Sequence, residues 1–256
     1  MIDFIENLAR QAGEICLEHN QGLTGDDLDF KGSRDLVTVV DQKVEDFITG
    51  AINSRYPRHD VLGEERGASH RQSEYRWIID PIDGTTSYFH RQPFYSVSIA
   101  LEHHGRLEAG VVYGPALGQM FTAVRGEGAW LNGGERLSVS TTTAMIDTVM
   151  ATGFACLRAG REPNNLHYLA KILPEIRDFR RCGSAALDLA YVAAGKVDAF
   201  WEMDLNIYDV AAGVLLVEEA GGRITDMQGG SEYPHRGIVA ANTNAIHERM
   251  IALFSR

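Results

Sequence analysis

The sequence predicts a layered protein of mixed helices and strands, α/β or α+β. Three observations carry that expectation. Some segments repeat apolar residues at helical steps, whereas others are short apolar runs closed by glycine turns. The two kinds alternate, with hairpins in the middle of the chain and crossover units after it. With 256 residues, 45% of them hydrophobic, the chain can bury a large core without staples.

The elements follow in order. Ile5, Leu8, Ala9, Ala12, Ile15 and Cys16 form the stripe of a first amphipathic helix. Gly32–Asp35 reads as a mobile loop. Val40, Val44, Phe47, Ile48, Ala51 and Ile52 form a second stripe, which ends before Pro57. Asp60–Gly63 and Arg76–Asp80 read as short buried strands. Tyr95–Leu101, Gly110–Tyr113 and Met120–Val124 read as a meander, with Gly105, Gly118 and Gly126/Gly128 in its turns. Beyond it, Val149–Ala151 reads as a strand, Leu166–Leu173 as a helix, Ile176–Arg180 as a strand and Ser184–Ala194 as a helix. Val197–Trp201 (strand) and Tyr208–Ala220 (helix) follow. Arg223–Thr225 and Ile238–Ala241 are the last strands, and Asn244–Phe254 is the last helix.

Composition excludes several classes. Lys and Arg number 24 against 35 Asp and Glu, a formal charge of −11, which suits nonspecific nucleic-acid binding poorly. The longest apolar run, Val210–Val217, is far short of the ~20 residues that span a bilayer. The opening MIDFIENLAR carries acids where a secretion signal carries basic residues and then an apolar stretch, so a cytoplasmic location is expected. Cys16, Cys156 and Cys182 are widely spaced and form no CxxC pair, which predicts reduced thiols.

Several motifs fail on single positions. Gly195-Lys196 has Ala190 where a phosphate loop has its first glycine. Gly126-Glu127-Gly128 lacks the third glycine of a dinucleotide site. His247-Glu248 has Ile251 where a zinc protease has its second histidine. No GxSxG elbow exists.

The informative segment is Trp77-Ile78-Ile79-Asp80-Pro81-Ile82-Asp83-Gly84-Thr85-Thr86. An apolar strand runs into Asp80, Pro81 fixes a backbone angle, and Asp83 follows. Gly84 permits an unusual backbone conformation, and Thr85 or Thr86 can cap a short helix. Two carboxylates at a strand end, beside a helix start, suit Mg²⁺ and a phosphate, because hard cations take oxygen ligands. A phosphoaspartate mechanism of the haloacid-dehalogenase type is disfavoured, since Ile82 stands where its second aspartate belongs.

Four blocks together resemble the inositol monophosphatase family of Mg²⁺-dependent phosphatases. They are Asp35-Leu36-Val37-Thr38 with Asp41; Gly63-Glu64-Glu65; Trp77–Thr86 with His90; and Trp201-Glu202 with Asp209–Gly213 and Glu219–Gly222. The resemblance implies an α-β-α-β-α sandwich, one domain over 1–256 with sub-halves of roughly 1–140 and 141–256. It implies Glu64, Asp80, Asp83 and Asp209 as side-chain ligands of two or three Mg²⁺ ions, with the carbonyl of Ile82 as a backbone ligand. Glu64, Asp83 and Thr85 are then the catalytic residues, Glu64 and Thr85 orienting the attacking water. Gly84, Thr85, Gly183, Ser184, Ala185, Glu202 and Asp209 match substrate contacts, and Asp41 lies near a weaker third metal position.

Other residues carry plainer readings. Glu65, Glu218 and Glu219 read as structural or solvated, Cys182 as structural, His90 as packing, and Lys31 and Arg34 as solvated cations. Bound Mg²⁺ would resolve how an acidic protein holds an anionic ester. The expected reaction is hydrolysis of a phosphate monoester by metal-activated water, with no phosphoenzyme. Myo-inositol 1-phosphate is the expected substrate. Fructose 1,6-bisphosphate, histidinol phosphate and phosphoadenosine phosphate are alternatives, because Ser87 and Tyr208 depart from the family's common Asn and Trp. A non-catalytic regulatory role on the same scaffold is the alternative of another class. A homodimer, lithium sensitivity, a small phosphorylated polyol or sugar as partner, and no nucleic-acid or membrane partner complete the expectation.

Overall fold

The structure, a computed structural model, describes residues 1–21, 28–32 and 35–255. Its layers follow from how each strand divides its side chains between two faces. An eight-stranded sheet has the order β10-β9-β8-β7-β6-β5-β3-β4. Its strands are β3 (Asp60–Gly63), β4 (Gly67–Ala68), β5 (Tyr75–Asp83), β6 (Ser96–His103), β7 (Arg106–Gly114), β8 (Gln119–Val124), β9 (Gly128–Leu131) and β10 (Glu135–Arg136). From β5 to β10 every pairing is antiparallel, and β3 joins β5 in parallel.

On one face Trp77, Ile79, Ile99 and Val111 pack with Ile5, Leu8, Val44 and Ile48 of α1 (Ile2–Asn20) and α2 (Val39–Arg55). On the other, Ile78, Ala100, Val112 and Phe121 pack against α6 (Ala185–Ala193) and α7 (Ile207–Glu219). The same two helices cover one face of a five-stranded sheet of order β12-β11-β13-β15-β14. Its strands are β11 (Val149–Thr152), β12 (Asp178–Arg180), β13 (Ala199–Glu202), β14 (Arg223–Thr225) and β15 (Ile238–Ala241). Met150, Trp201 and Val239 turn outward to α5 (Asn165–Ile172) and α8 (Asn244–Phe254). The result is the α-β-α-β-α sandwich. Every residue from Val210 to Val217 is buried, which explains why α7 reads as an apolar run: sheets lie on two sides of it.

The structure differs from the sequence reading at short elements. The segment read as a loop before α2 is flanked by a hairpin of β1 (Leu28–Gly32) and β2 (Asp35–Thr38), and Ser33 and Arg34 lie outside the described residues. The strand expected to start at Ile176 starts at Asp178, after a 3₁₀ turn at Leu173–Glu175. The helices α3 (Thr85–Phe89) and α4 (Ala155–Arg158) are too short for a periodic signal. Among the described residues no helix is long and apolar enough to cross a membrane.

Candidate active site

The site forms where β3 and β5 end. A strict strand alternation would send Asp80 and Asp83, three residues apart, to opposite faces. The pairing of β5 with β6 prevents this. Asp80 opposes Ser98 and Asp83 opposes Ser96, so three steps on β5 match two on β6. The bulge takes up the odd residue and lets both carboxylates serve one site. Gly84 then turns the chain at φ 93°, where a Cβ would lie 2.9 Å from the carbonyl oxygens of Gly183 and Phe94. Gly84 itself holds the N-cap position of α3, and no side chain caps that helix. The expected cap by Thr85 or Thr86 is therefore corrected. Thr85 is the first helical residue instead, and its hydroxyl lies 3.2 Å from both the Ile82 carbonyl oxygen and Asp41 Oδ1.

Each carboxylate is placed by a different element. Asp83 Oδ2 accepts from Ser184 Oγ at 2.5 Å and from the Ala186 amide at 2.7 Å, which ties β5 to the start of α6. Ser184 caps α6 by accepting from Leu187 N. Asp209 occupies the third position of α7 and closes a capping box, accepting from Asn206 N at 2.5 Å. Asp80 accepts from the Ile82 amide at 3.1 Å. Glu64 follows β3, and its amide donates to the Ile79 carbonyl, which sets it beside the end of β5.

The electrostatics are unbalanced. Burial pushes Asp80 well above the usual carboxylate range, and the charges of Glu64, Asp83 and Asp209 push it further. Asp209 is raised by burial and then by Asp83, Glu64 and Glu202, against the pull of the Asn206 amide. Burial raises Asp83 only to about 6, because the Ser184 hydroxyl and the amides of Ala186 and Ala185 pull it back down. Among the described residues, none of the leading influences on these three groups is a cation. An all-oxygen, anionic donor set of this kind suits a hard divalent cation.

A second tier supports the first. Asp41, in α2, is 1% exposed and accepts from both the amide and the hydroxyl of Thr38, an arrangement that caps the helix. Burial raises it to about 7, with Glu64 and Glu65 adding to the rise. One turn on, Glu45 is fully buried and accepts from the amides of Glu65 at 2.7 Å and Arg66 at 2.9 Å. A Cβ at Gly63 would overlap its carboxylate. Glu45 thus clamps the turn that carries Glu64. Sequence reasoning missed it, although two acids four residues apart on a buried helix stripe were there to be read.

Glu202, at the buried end of β13, accepts from the Ala155 amide at 3.0 Å. Gly183 and Ala185 flank Ser184 beside Asp83. Asp188 of α6 is 2% exposed and raised by burial, then by Glu202 and Asp83. It was also missed. Burial beside Asp188 pushes the Cys182 thiol up to about 12, which fits a structural thiol. Glu218 pairs with Arg125 and Glu219 accepts from the Gly126 and Gly128 amides, so both are structural. His90 is exposed, with Phe89 edge-on at 5.4 Å.

Known proteins share this arrangement of chain. The model of the inositol monophosphatase family matches residues 1–256. The chain belongs to the inositol monophosphatase family. It is 42% identical over 246 residues to an inositol-1-monophosphatase of Mesorhizobium japonicum, covering 96% of this chain and 89% of that protein. It is also 42% identical over 253 residues to the Nus factor SuhB of Escherichia coli, covering 98% and 94%. The crystal structure of the extragenic suppressor protein suhB from Bartonella henselae superposes with a TM-score of 0.92 at 38% identity, covering 99% of this chain and 98% of that one. Membership supports a phosphatase acting on a phosphorylated small molecule, on the family's layered fold.

Proposed function

We propose that this chain hydrolyses a phosphate monoester with Mg²⁺, and that myo-inositol 1-phosphate is its substrate. The observation that carries the reading is the convergence of Glu64, Asp80, Asp83 and Asp209 with no cation among the main influences on the three aspartates. These residues and the Ile82 carbonyl would hold two or three Mg²⁺ ions. Bound there, Mg²⁺ offsets the negative charge, stabilises phosphoryl oxygens and lowers the pKa of a water.

The chain's own groups do the rest. Glu64 and Thr85 orient the attacking water, and Asp41 holds the Thr85 hydroxyl in place. Gly84 and Thr85 meet the phosphate at the start of α3, and Gly183–Ala185 form a second wall. Asp209 and Glu202 accept from substrate hydroxyls, which selects a polyol. No side chain becomes phosphorylated. The same reading takes 1–256 as one domain of two sub-halves, working in the cytoplasm as a homodimer inhibited by lithium.

A second reading rests on the relatives named as Nus factors. On that reading the chain serves as a regulatory partner and its phosphatase scaffold is not used. Phosphate release separates them, measured with Mg²⁺ and with EDTA on myo-inositol 1-phosphate, fructose 1,6-bisphosphate, histidinol phosphate and phosphoadenosine phosphate. Mg²⁺-dependent release with preference for the inositol ester is expected. Preference for another ester would overturn the substrate, and no release from any would overturn the enzyme.

A further inference from the structure

The other end of β5 carries a different set of donors. His103 ends β6 and pairs with Arg106 of β7, so His104 and Gly105 alone make the connection. Both have positive φ, 50° and 78°, as a type I′ turn demands. The His104 amide donates to the Glu74 carbonyl at 2.8 Å, which folds the hairpin tip onto the residue before β5. His103 stands opposite Tyr75, and their rings stack at 4.1 Å. Tyr75 stacks on His59 at 4.6 Å, and His59 on Tyr56 at 4.9 Å. The column fixes the His103 ring on one side and leaves its Nε2 facing Glu74.

Three donors meet there. Glu74 Oε2 lies 4.0 Å from His103 Nε2 and 3.6 Å from His104 Nε2. One ligand atom from each residue lies within 4.8 Å of the others. His59 is not a fourth, because its Nδ1 accepts from Trp77 Nε1.

We propose that Glu74, His103 and His104 form a surface site for a transition-metal cation of the Zn²⁺ class. Two imidazoles and a carboxylate are a zinc-type donor set, and imidazole selects Zn²⁺, Ni²⁺ or Cu²⁺ over Mg²⁺. Tetrahedral Zn²⁺ wants its ligand atoms about 3.3 Å apart. The side chains of Glu74 and His104 are 67% and 61% exposed, so they can rotate through the remaining gap, at most about 1.5 Å, onto the less mobile His103. Three protein ligands leave the fourth position to water or to a donor from another molecule. Along β5, Glu74 and Asp80 are separated by about 20 Å at the rise of a strand. The ion held here therefore takes no part in chemistry at Asp80.

The test uses the full chain, stripped by chelation and kept in excess Mg²⁺. Zn²⁺ uptake is measured by competition with a colorimetric chelator, for wild type and for the double variant His103→Ala with His104→Ala. Wild type is expected to take up one equivalent that the variant does not. Without Zn²⁺ the variant loses the Tyr75 stack and places alanine at a positive φ, so a lower melting temperature is expected, but it should melt cooperatively and keep the wild-type Mg²⁺-dependent rate, which shows that it folds. Cu²⁺ bound to wild type should give nitrogen hyperfine splitting that the variant lacks. Equal Zn²⁺ uptake by both proteins, or a copper spectrum with oxygen ligands only, would overturn the proposal.

Discussion

Two groups of buried acids in this molecule behave in opposite ways. In the turn between β14 and β15, Asp226 is 2% exposed, and burial alone would raise it. It is held below the usual carboxylate range instead, because the amides of Gly230, Gln228 and Glu232 donate to it. Asp60 is likewise lowered by the amides of Arg71 and Ser73. At the end of β5, Asp80 has one amide and three anionic neighbours, and it is raised. The contrast shows that burial by itself does not mark a functional acid. A carboxylate saturated by amides is a structural part of its turn. Carboxylates that are crowded together without compensation mark a candidate functional site.

The largest effect that sharpens this contrast is catalytic. Glu64→Gln keeps the shape but loses the charge, and kcat with Mg²⁺ should fall by about 10²-fold or more. Near-normal turnover would remove Glu64 from its role. Glu45→Gln comes next. It spoils one of the two amide contacts that clamp the Glu64 turn, so kcat should fall by roughly tenfold with the fold intact. An unchanged kcat would make Glu45 purely structural.

Stability of the metal-free protein gives a difference of sign. Asp226→Asn turns an acceptor into a donor against amides and should cost about 1–3 kcal/mol. Asp80→Asn removes repulsion and should raise the melting temperature, by a gain on the order of 1 kcal/mol. Chemical and thermal unfolding of both variants checks this. If both substitutions destabilise, the contrast fails.

The smallest effect is pH dependence. Asp41 and Asp83 have folded values raised to about 7 and about 6 from ordinary carboxylate values. The folded protein then holds protons that the unfolded chain has released, so stability falls as pH rises through these values. Metal-free protein should be more stable near pH 6.5 than near pH 8. Buried His247, lowered to about 4, works the other way and loses stability as pH falls below the ordinary histidine value. It limits the useful window to the neutral side. Melting curves across that window check the slope.

Much of this was legible in the residues themselves. The long helices and the meander carried strong periods, and the four motif blocks together pointed to the family. The rest depends on contacts distant in sequence. That Asp80 and Asp83 serve one site depends on a bulge against Ser96 and Ser98. Glu45 and Asp188 look like ordinary helix acids until their partners, the Glu65 turn and the Cys182 loop, are in place. The hairpin of β1 and β2 and the cap at Gly84 are local, but too short for periodicity to reveal.

The central claim is that a divalent cation completes the carboxylate cluster. The most direct test is the melting temperature of the metal-free protein near pH 8, titrated with Mg²⁺, for wild type and Asp83→Asn. Binding to the folded state alone must stabilise it by mass action. Mg²⁺ should raise the wild-type melting temperature in a saturable way and raise that of Asp83→Asn much less. The same response in both proteins, or none in wild type, would contradict the claim.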